Sequence, residues 1–361
     1  MLSGFEINVK FFQPFNLFNV TLKTLNNNIM RKLLFSSLLL AFSSMFILTS
    51  CSDDDDDQPA PAAPKSLTQT VADDARFSIL VDALTRTGLD ATLNAEGTYT
   101  VFAPTNEAFT ALLGDLQLAD LDALEAALTT AGLRDVLLYH VLGVTAKASD
   151  VSTGYYSTAS ANSAGNNLSL YAEVGSDVVL NDVATVTQVD ITASNGVAHV
   201  IDAVILPLSV HGLVALNRDY TSLGAALSLA DGNLDEVLAG NAGRYTVFAP
   251  NNAAFDDLVA ATPGVNNLAE LVSAIGTDGL AQVLLYHVVA GDVLAGDLNT
   301  GNVNTLAENM GTALTFFVNI NGASVSIIDN NADTDDATVT GTDAIGTNGA
   351  LHFVNAVLLP Q

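Results

Sequence analysis

An eleven-residue stretch that occurs twice constrains this chain more than any other feature of its sequence. Residues 99–109 read YTVFAPTNEAF, and residues 245–255 read YTVFAPNNAAF. The first four residues of each copy are β-branched or aromatic and favour a strand. Pro104 lacks a backbone N–H and should end that strand, and Thr105 or Asn251 can cap a following helix. The repeat therefore predicts two strand-to-helix units and a duplicated domain.

Two further segments repeat in the same order. Residues 137–141 (LLYHV) return at 284–288, and an Asn-Gly pair with an apolar run and a proline at 195–207 returns at 348–360. The Asn-Gly pairs predict hairpins. The offset between copies grows from 147 residues at Tyr139 to 153 at Pro207, so the second copy has a net insertion of six residues between these segments. A repeat this long is a whole domain, and we expect each copy to have its own core.

Together, the three segments resemble the fasciclin-type domain of the fasciclin I family. The resemblance covers about residues 66–360, in two tandem copies. It implies an α+β fold in which each domain is a β-wedge or sandwich with helices packed on it. It also implies a secreted or surface-anchored adhesion or matrix protein with no general enzymatic activity and no cofactor.

The sequence predicts four parts: an upstream extension plus lipoprotein signal peptide (1–50), an acidic, Pro/Ala-rich tether (51–65), a first fasciclin-type domain (66–208) and a second one (209–361). Residues 1–29 fit no part of a signal peptide, so we expect Met30 to be the true start.

The segment after Met30 has the features of a bacterial lipoprotein signal. Arg31 and Lys32 precede an apolar run at 33–48, and Cys51 follows where lipid would be attached. A transmembrane anchor is the alternative, but four serines interrupt the run and Cys51 is the only cysteine. We therefore predict export through the Sec pathway and lipid anchoring at the outer membrane or cell surface.

Acidic residues greatly outnumber basic residues in the rest of the chain. Five aspartates, residues 53–57, follow the predicted lipidation site and resemble a surface-export signal of Bacteroidetes lipoproteins, although a solvated spacer is an equal alternative. Without residues 1–50, the net charge is about −31, from 7 Lys+Arg against 38 Asp+Glu. Such a surface repels nucleic acid and anionic lipid. We expect an extracellular matrix or cell-surface protein, or a polysaccharide, as partner.

The repeated Tyr-His pairs are the first candidate binding residues. His140 and His287 lie at helical spacing with apolar residues, and no second His or Cys lies at ligand spacing. A hydrogen-bonded core histidine is therefore the favoured interpretation. The resemblance also implies a recognition role, because the Tyr-His segment of several animal members has been linked to integrin binding. Tyr139 and Tyr286 complete that match.

A second candidate segment occurs in the first copy. Asp190 and Ile191 match an Asp-Ile recognition segment of the family, whereas the second copy has Asp343 followed by Ala344. His199, in the predicted closing strand, is expected to be a core residue. The resemblance thus implies a recognition role at this segment in copy one only.

The loop of the second copy contains alternating oxygen ligands. Asp329, Asn331, Asp333 and Asp335 are spaced as in calcium loops, but Thr334 replaces the expected glycine and no Glu follows at the twelfth position. We favour a solvated hairpin loop and predict no metal.

No catalytic signature is present in the sequence, which lacks nucleophile-elbow, zinc-protease, phosphate-loop and dinucleotide motifs. We therefore predict no catalytic residues and no enzyme activity. The leading hypothesis is a surface adhesion lipoprotein. A glycan- or polymer-binding accessory lipoprotein is the alternative, and an unrecognised hydrolase is a more distant one.

Overall fold

The computed structural model describes residues 64–360, except 233, 241–242, 330 and 332–335. The predictions about the upstream extension, the signal peptide, Cys51 and the acidic run concern residues outside this described part. Both sequence repeats lie in one compact unit, Ala62–Gln361.

Helices come first in each copy, and strands dominate its second half. The first copy contains α1 (Leu67–Ala72), α2 (Ser78–Thr87), α3 (Leu89–Asn94), β1 (Tyr99–Pro104), α4 (Asn106–Asp115), α5 (Leu121–Tyr139), β2 (Val141–Leu142), β3 (Gly154–Ala161), β4 (Asn167–Val174), β5 (Val178–Leu180), β6 (Ala184–Ala193) and β7 (Gly196–Ile201). The second contains α6 (Val210–Leu216), α7 (Thr221–Leu229), α8 (Leu234–Ala239), β8 (Tyr245–Pro250), α9 (Asn252–Ala261), α10 (Leu268–Tyr286), β9 (Val288–Ala290), β10 (Gly301–Asn309), β11 (Thr312–Asn321), β12 (Ser324–Ile328), β13 (Ala337–Gly346) and β14 (Gly349–Val354).

Each copy forms a seven-stranded sheet. The strand order is β2-β1-β7-β6-β5-β4-β3 in the first copy and, correspondingly, β9-β8-β14-β13-β12-β11-β10 in the second. The two strands that carry the repeated sequences, β1 and β7, are parallel, and the other pairs are antiparallel. The terminal strands β2 and β3 also contact each other, so the sheet is nearly closed. The predicted α+β fold with helices on a wedge-like sheet is confirmed.

The core of each copy has two layers. In the first copy, helices pack on one face of the sheet around Phe77, Phe109 and Leu133. Inside the folded sheet, Phe102 and Tyr139 pack with apolar residues of β4 and β5. The closing strand is therefore buried on both faces, as its apolar sequence predicts.

The strand-to-helix prediction is confirmed in both copies. β1 and β8 end at the repeated proline. The hydroxyl of Thr105 accepts the N–H of Ala108 at 3.3 Å, and the side chain of Asn251 accepts that of Ala254 at 2.9 Å. These bonds satisfy an otherwise unpaired N–H of each helix's first turn.

The predicted Asn-Gly hairpin is present, but both residues also have a tertiary role. Gly196 begins β7 with φ 154°, and a Cβ there would lie 2.0 Å from the carbonyl oxygen of Tyr99, so only glycine fits. Asn195 is buried and accepts the N–H of Leu67 at 2.9 Å while donating to the carbonyls of Leu93 and Ala95. The pair therefore ties the N-terminal helices to the sheet.

The six-residue insertion lies in one loop. Three residues separate Leu180 from Ala184, whereas nine separate the equivalent Ile327 from Ala337. The insertion thus coincides with the Asp-rich loop.

The long helices α5 and α10 are interrupted at equivalent positions, Thr129 (φ 69°, ψ 161°) and Gly276 (φ 78°, ψ 161°). Within the described residues, α10 is long and apolar enough to cross a membrane by length and composition. However, it is broken at Gly276, and Leu280 and Leu284 lie in the core of the second copy. The helix is thus part of that domain's packing.

Candidate functional site

His140 caps the end of α5 and is completely engaged inside the fold. The helical spacing of His140 with apolar residues predicts that it lies within a helix, but α5 ends one residue before it, at Tyr139. The Nδ1 of His140 lies 2.7 Å from the carbonyl oxygen of Val136, and Nε2 accepts the backbone N–H of Ile205 at 3.1 Å. Because a backbone N–H can only donate, Nε2 must be unprotonated and Nδ1 must carry the hydrogen. His140 is thus a neutral imidazole that joins the helix to the segment after β7.

His287 makes the same two bonds in the second copy. Its Nδ1 lies 2.8 Å from the carbonyl oxygen of Val283, and its Nε2 accepts the N–H of Leu358 at 2.8 Å. Burial lowers the pKa of both His140 and His287 to about 4, although the bond to the helix carbonyl partly opposes this shift. Both rings are therefore uncharged at neutral pH.

The space beside these histidines is too small for a substrate. A cavity of about 20 Å³ borders His140, and one of about 10 Å³ borders His287. Both are lined almost entirely by apolar side chains and have room for about one water molecule. This geometry favours the core-histidine interpretation over a catalytic one.

The tyrosines of the Tyr-His pairs are also buried. The hydroxyl of Tyr139 donates to the carbonyl of Ser169 at 2.7 Å and accepts from Nδ2 of Asn181 at 3.0 Å. Burial raises the pKa of Tyr139 above its usual value. The hydroxyl of Tyr286 donates to the carbonyl of Thr315 at 2.6 Å. Both side chains lie in the core. Direct contact between them and a binding partner stays a prediction, and it would require the surrounding structure to open.

Asp190 has a structural role that both copies share. It adopts φ 57°, its N–H donates to Nδ1 of His199 at 3.2 Å, and its carboxylate accepts the N–H of Ala148 at 2.9 Å. Asp343 likewise adopts φ 59° and accepts the N–H of Ala295 at 2.8 Å. The aspartate lies where β6 or β13 has a bulge, and it fastens that strand to the segment before β3 or β10.

Ile191 is the predicted binding residue that borders open space. It is half-buried and lines a cavity of about 220 Å³ together with Arg76, Phe77 and Gln188. Its counterpart, Ala344, is buried in the core of the second copy. A recognition role for the Asp190–Ile191 segment stays a prediction for the first copy.

The Asp-rich loop differs from the predicted solvated hairpin loop at its first residue. Asp329 is only 4% exposed, and its carboxylate accepts the N–H of Leu359 at 2.8 Å and that of Asn331 at 3.1 Å. Its oxygens therefore secure the C-terminal segment. Asp333 and Asp335 lie outside the described residues. Among those the structure describes, no group of three acidic, His or Cys residues could hold a metal ion.

The sequence analysis missed a polar contact between the two copies. The guanidinium of Arg244 donates through Nε to Asp292 at 2.9 Å and pairs with the same carboxylate through Nη2. Asn162 and Asn166 of the first copy donate to that carboxylate at 3.1 and 3.0 Å, and Arg244 Nη1 donates to the hydroxyl of Ser163 at 2.7 Å. Asp292 is only 6% exposed, so this ion pair is largely shielded from water.

Aromatic and backbone contacts extend this interface. Tyr155 of the first copy stacks on Phe353 of the second, with ring centroids 5.3 Å apart, and its hydroxyl donates to the carbonyl of Leu213 at 2.9 Å. Ile345 donates its N–H to the hydroxyl of Ser169 and packs in the first copy's sheet core. Each copy therefore has cores of its own, as expected, but side chains of the other copy extend the inner sheet core of the first copy and the helix-side core of the second.

Differences between the copies could have revealed this interface. Arg244 and Asp292 correspond to Thr98 and Thr145, and Tyr155 corresponds to Asn302. In a duplicated domain, a residue that changes from small and polar to charged or aromatic in one copy is a candidate for contact with the other copy.

The family follows from a comparison of the whole chain with known domains. A family model described as the Fasciclin domain matches residues 75–207 and 218–360, which is most of the chain. The chain therefore belongs to the fasciclin domain family.

Individual proteins are similar to parts of it. Protein sll1483 of Synechocystis sp. is 37% identical over 150 residues, which are 42% of this chain and 78% of that protein. The cell surface glycolipoprotein MPB83 of Mycobacterium bovis is 44% identical over 80 residues, 21% of this chain, and the match spans 31% of MPB83. A solved FAS1 domain pair from the insect cell adhesion molecule fasciclin I covers 77% of this chain and 95% of its own, at 20% identity and a TM-score of 0.44.

Proposed function

We propose that this protein is a non-enzymatic, lipid-anchored surface protein whose paired fasciclin domains mediate adhesion to a matrix or cell-surface partner. The match of the Fasciclin domain to both copies carries this proposal. The predicted signal and Cys51 supply the anchor, and residues 53–57 with the Pro/Ala tether would hold the domain pair away from the membrane.

The geometry adds a physical reason. The titratable side chains of the repeated motif, His140 and His287, are uncharged and satisfied inside the fold. Their contribution is to stability, which leaves recognition to the outer surface. That surface is strongly acidic, so it favours partners with basic or neutral contact surfaces over nucleic acid. MPB83, which its name places at the cell surface, is consistent with this location.

A cell-adhesion assay tests the proposal. Gram-negative cells that express the full chain are washed over surfaces coated with collagen, fibronectin or purified polysaccharide. We expect more retention than for cells expressing the Cys51→Ser variant, and we expect the soluble chain to compete. Equal retention of both strains on every coating would contradict the adhesion role. Turnover of ester, peptide or glycoside substrates by the purified chain would contradict the non-enzymatic role.

A further inference from the structure

The cavity that Ile191 borders in the first copy has a counterpart in the second copy. Ser66 and Ser209 cap α1 and α6, so these helices are equivalent, and Ile191 and Ala344 stand at the same position of β6 and β13. The cavity residues Thr70, Val71, Asp74, Phe77, Ile191 and Ala198 thereby correspond to Leu213, Val214, Asn217, Tyr220, Ala344 and Leu351. The two copies therefore share this site.

The counterpart in the second copy is occupied by a side chain of the first. The hydroxyl of Tyr155 donates to the carbonyl of Leu213 at 2.9 Å and is also hydrogen-bonded to the side chain of Asn217. The ring stacks on Phe353 and packs with the helix-side core of the second copy. Burial raises the pKa of Tyr155 above its usual value, as expected for an enclosed phenol. At this site the fold thus receives a tyrosine from a strand of the neighbouring domain.

The same site of the first copy is open and keeps the features that hold Tyr155. Its volume of about 220 Å³ lies below the range of about 300–1,000 Å³ that is typical of small-molecule sites, which favours a single side chain as occupant. Buried Phe77 lines the cavity, as an aromatic residue does in the second copy. Thr70 lies in the last turn of α1, as Leu213 does in α6, so its carbonyl is placed to accept a phenol hydroxyl.

Arg76 lies at the rim of the open site. Its guanidinium lies over the ring of Phe77, 5.4 Å from the centroid, and donates to Oε1 of Gln188 on β6 at 3.2 Å. It also pairs with Asp74, with Nη2 2.7 Å from Oδ2. A guanidinium attracts the face of an aromatic ring. Arg76 therefore offers a stacking contact in place of Phe353, whose counterpart in the first copy is the smaller Val200.

This chain does not supply an occupant for the open site. The residue of the second copy that matches Tyr155 is Asn302, so a second chain added end to end would present an amide and no ring. Within the part of the chain that the structure describes, every tyrosine is buried or half-buried. The predicted tether, residues 51–65, contains no aromatic residue. The occupant is therefore expected to belong to another protein.

We propose that the open site (Thr70, Val71, Arg76, Phe77, Gln188 and Ile191) is a tyrosine pocket, which binds a tyrosine side chain of a partner protein carried on an exposed strand, as Tyr155 is. This inference rests on the proposed adhesion role and names the chemistry of its partner. The chain is strongly acidic, so basic residues beside the partner's tyrosine would speed association.

NMR of the soluble chain with ¹³C-labelled isoleucine methyl groups tests the pocket itself. The probe is p-cresol, which is the tyrosine side chain as a free molecule, and toluene is the matched probe without the hydroxyl. We expect p-cresol to shift the Ile191 methyl signal and to bind about fivefold more tightly than toluene, because its hydroxyl can donate to the Thr70 carbonyl. An unshifted Ile191 signal, or equally tight binding of toluene, would overturn the proposal.

A peptide probe tests presentation on a strand. Residues 153–174 carry Tyr155 on the β3–β4 hairpin, and cyclisation through the ends of this peptide favours the hairpin. In fluorescence anisotropy, we expect the peptide to bind the soluble chain and its Tyr155→Ala version to bind about tenfold more weakly. Equal binding of both peptides would contradict a tyrosine pocket.

Variants of β6 locate the site. Ile191→Asp puts a carboxylate into the pocket and should weaken peptide binding about tenfold or more. Val189→Asp makes the same change at a residue that is 45% exposed and does not line the pocket, so binding should be normal. Gln188→Trp, at an exposed position, should block the pocket without disturbing the core, and melting temperatures check that each variant folds. Binding at full strength in both Ile191→Asp and Gln188→Trp would overturn the assignment.

Cell retention separates this inference from the adhesion role. On a protein coating that retains wild-type cells, cells with Ile191→Asp should be released and cells with Val189→Asp should be retained. Full retention of Ile191→Asp cells would contradict the tyrosine pocket but leave the adhesion role intact. Equal retention of wild-type and Cys51→Ser cells on every coating would instead contradict the adhesion role, even if p-cresol binds.

Discussion

Arg244 and Asp292 form an ion pair on the second copy whose carboxylate also receives hydrogen bonds from Asn162 and Asn166 of the first. The pair is therefore a contact between copies as well as within one. The first copy carries threonines at the same two positions, Thr98 and Thr145. Threonine at both positions is therefore compatible with this fold.

Arg244→Thr should lower the free energy of unfolding because it leaves the Asp292 carboxylate buried without its cation. Breaking a buried pair costs about 3–5 kcal/mol, and since the Arg244 side chain is 26% exposed we expect about 2–4 kcal/mol. The double variant Arg244→Thr/Asp292→Thr reproduces the residues of the first copy and should lose less than the single variant. Urea titration measures both. Equal losses would show that the buried charge is not the cause.

Acid should destabilise the fold through His140 and His287. The folded-state pKa of each is lowered to about 4, below the unfolded value of about 6.5, so the unfolded chain binds more protons between these values. The stabilisation is therefore complete above pH 6.5 and is lost as the pH falls from 6.5 to 4. Each histidine contributes about 3 kcal/mol over this window.

Stability measured by urea unfolding at closely spaced pH values tests this. His140→Gln should remove part of the slope between pH 6.5 and 4, and His287→Gln an equal part. His352, whose pKa is also lowered by burial, should keep part of the slope in both variants. ¹⁵N NMR of the wild type should show neutral rings protonated at Nδ1 down to about pH 5. Rings that titrate near pH 6.5 would contradict the buried, neutral assignment.

Thr129→Gly should stabilise the protein. Thr129 has φ 69° and ψ 161°, a backbone region that is almost restricted to glycine, and the second copy has Gly276 there. Relief of this strain should raise the free energy of unfolding by about 1–2 kcal/mol, less a few tenths for the lost bond from the Gly132 N–H to the Thr129 hydroxyl. The reciprocal Gly276→Thr should destabilise by a similar amount. A loss of stability in Thr129→Gly would show that the hydroxyl matters more than the strain.

Lipid attachment is expected at Cys51. Labelling of expressing cells with radioactive palmitate should mark the wild-type protein, and Cys51→Ser should abolish both the label and partitioning into detergent. The thiol is the attachment point, so Cys51→Ala should behave like Cys51→Ser. If the unlabelled variant still partitions with membranes, the apolar run at 33–48 is a transmembrane anchor.

The features that could be predicted from the sequence are those encoded locally. The YTVFAP stretch specifies a strand, its end and a capped helix within eleven residues, and the structure confirms all three. The end of α5 could not be predicted in this way, because apolar spacing continues to Val141. The helix ends instead at Tyr139, where the His140 ring bonds back to the Val136 carbonyl and forward to Ile205.

The interface between the copies could not be predicted, because it depends on contacts between residues far apart in the sequence. Tyr155 and Phe353 are ordinary aromatic residues until the second copy is placed against the first. The break in α5 at Thr129 could not be predicted for a different reason, because threonine rarely adopts positive φ.

The claim that the two fasciclin domains form a single body is tested most directly by differential scanning calorimetry of the soluble Cys51→Ser chain. Because Tyr155, Ser169, Ile345 and Phe353 complete cores across the boundary, we expect one transition with a calorimetric-to-van't Hoff enthalpy ratio of about 1. Two resolved transitions for this chain, each with the enthalpy of one domain, would contradict the claim.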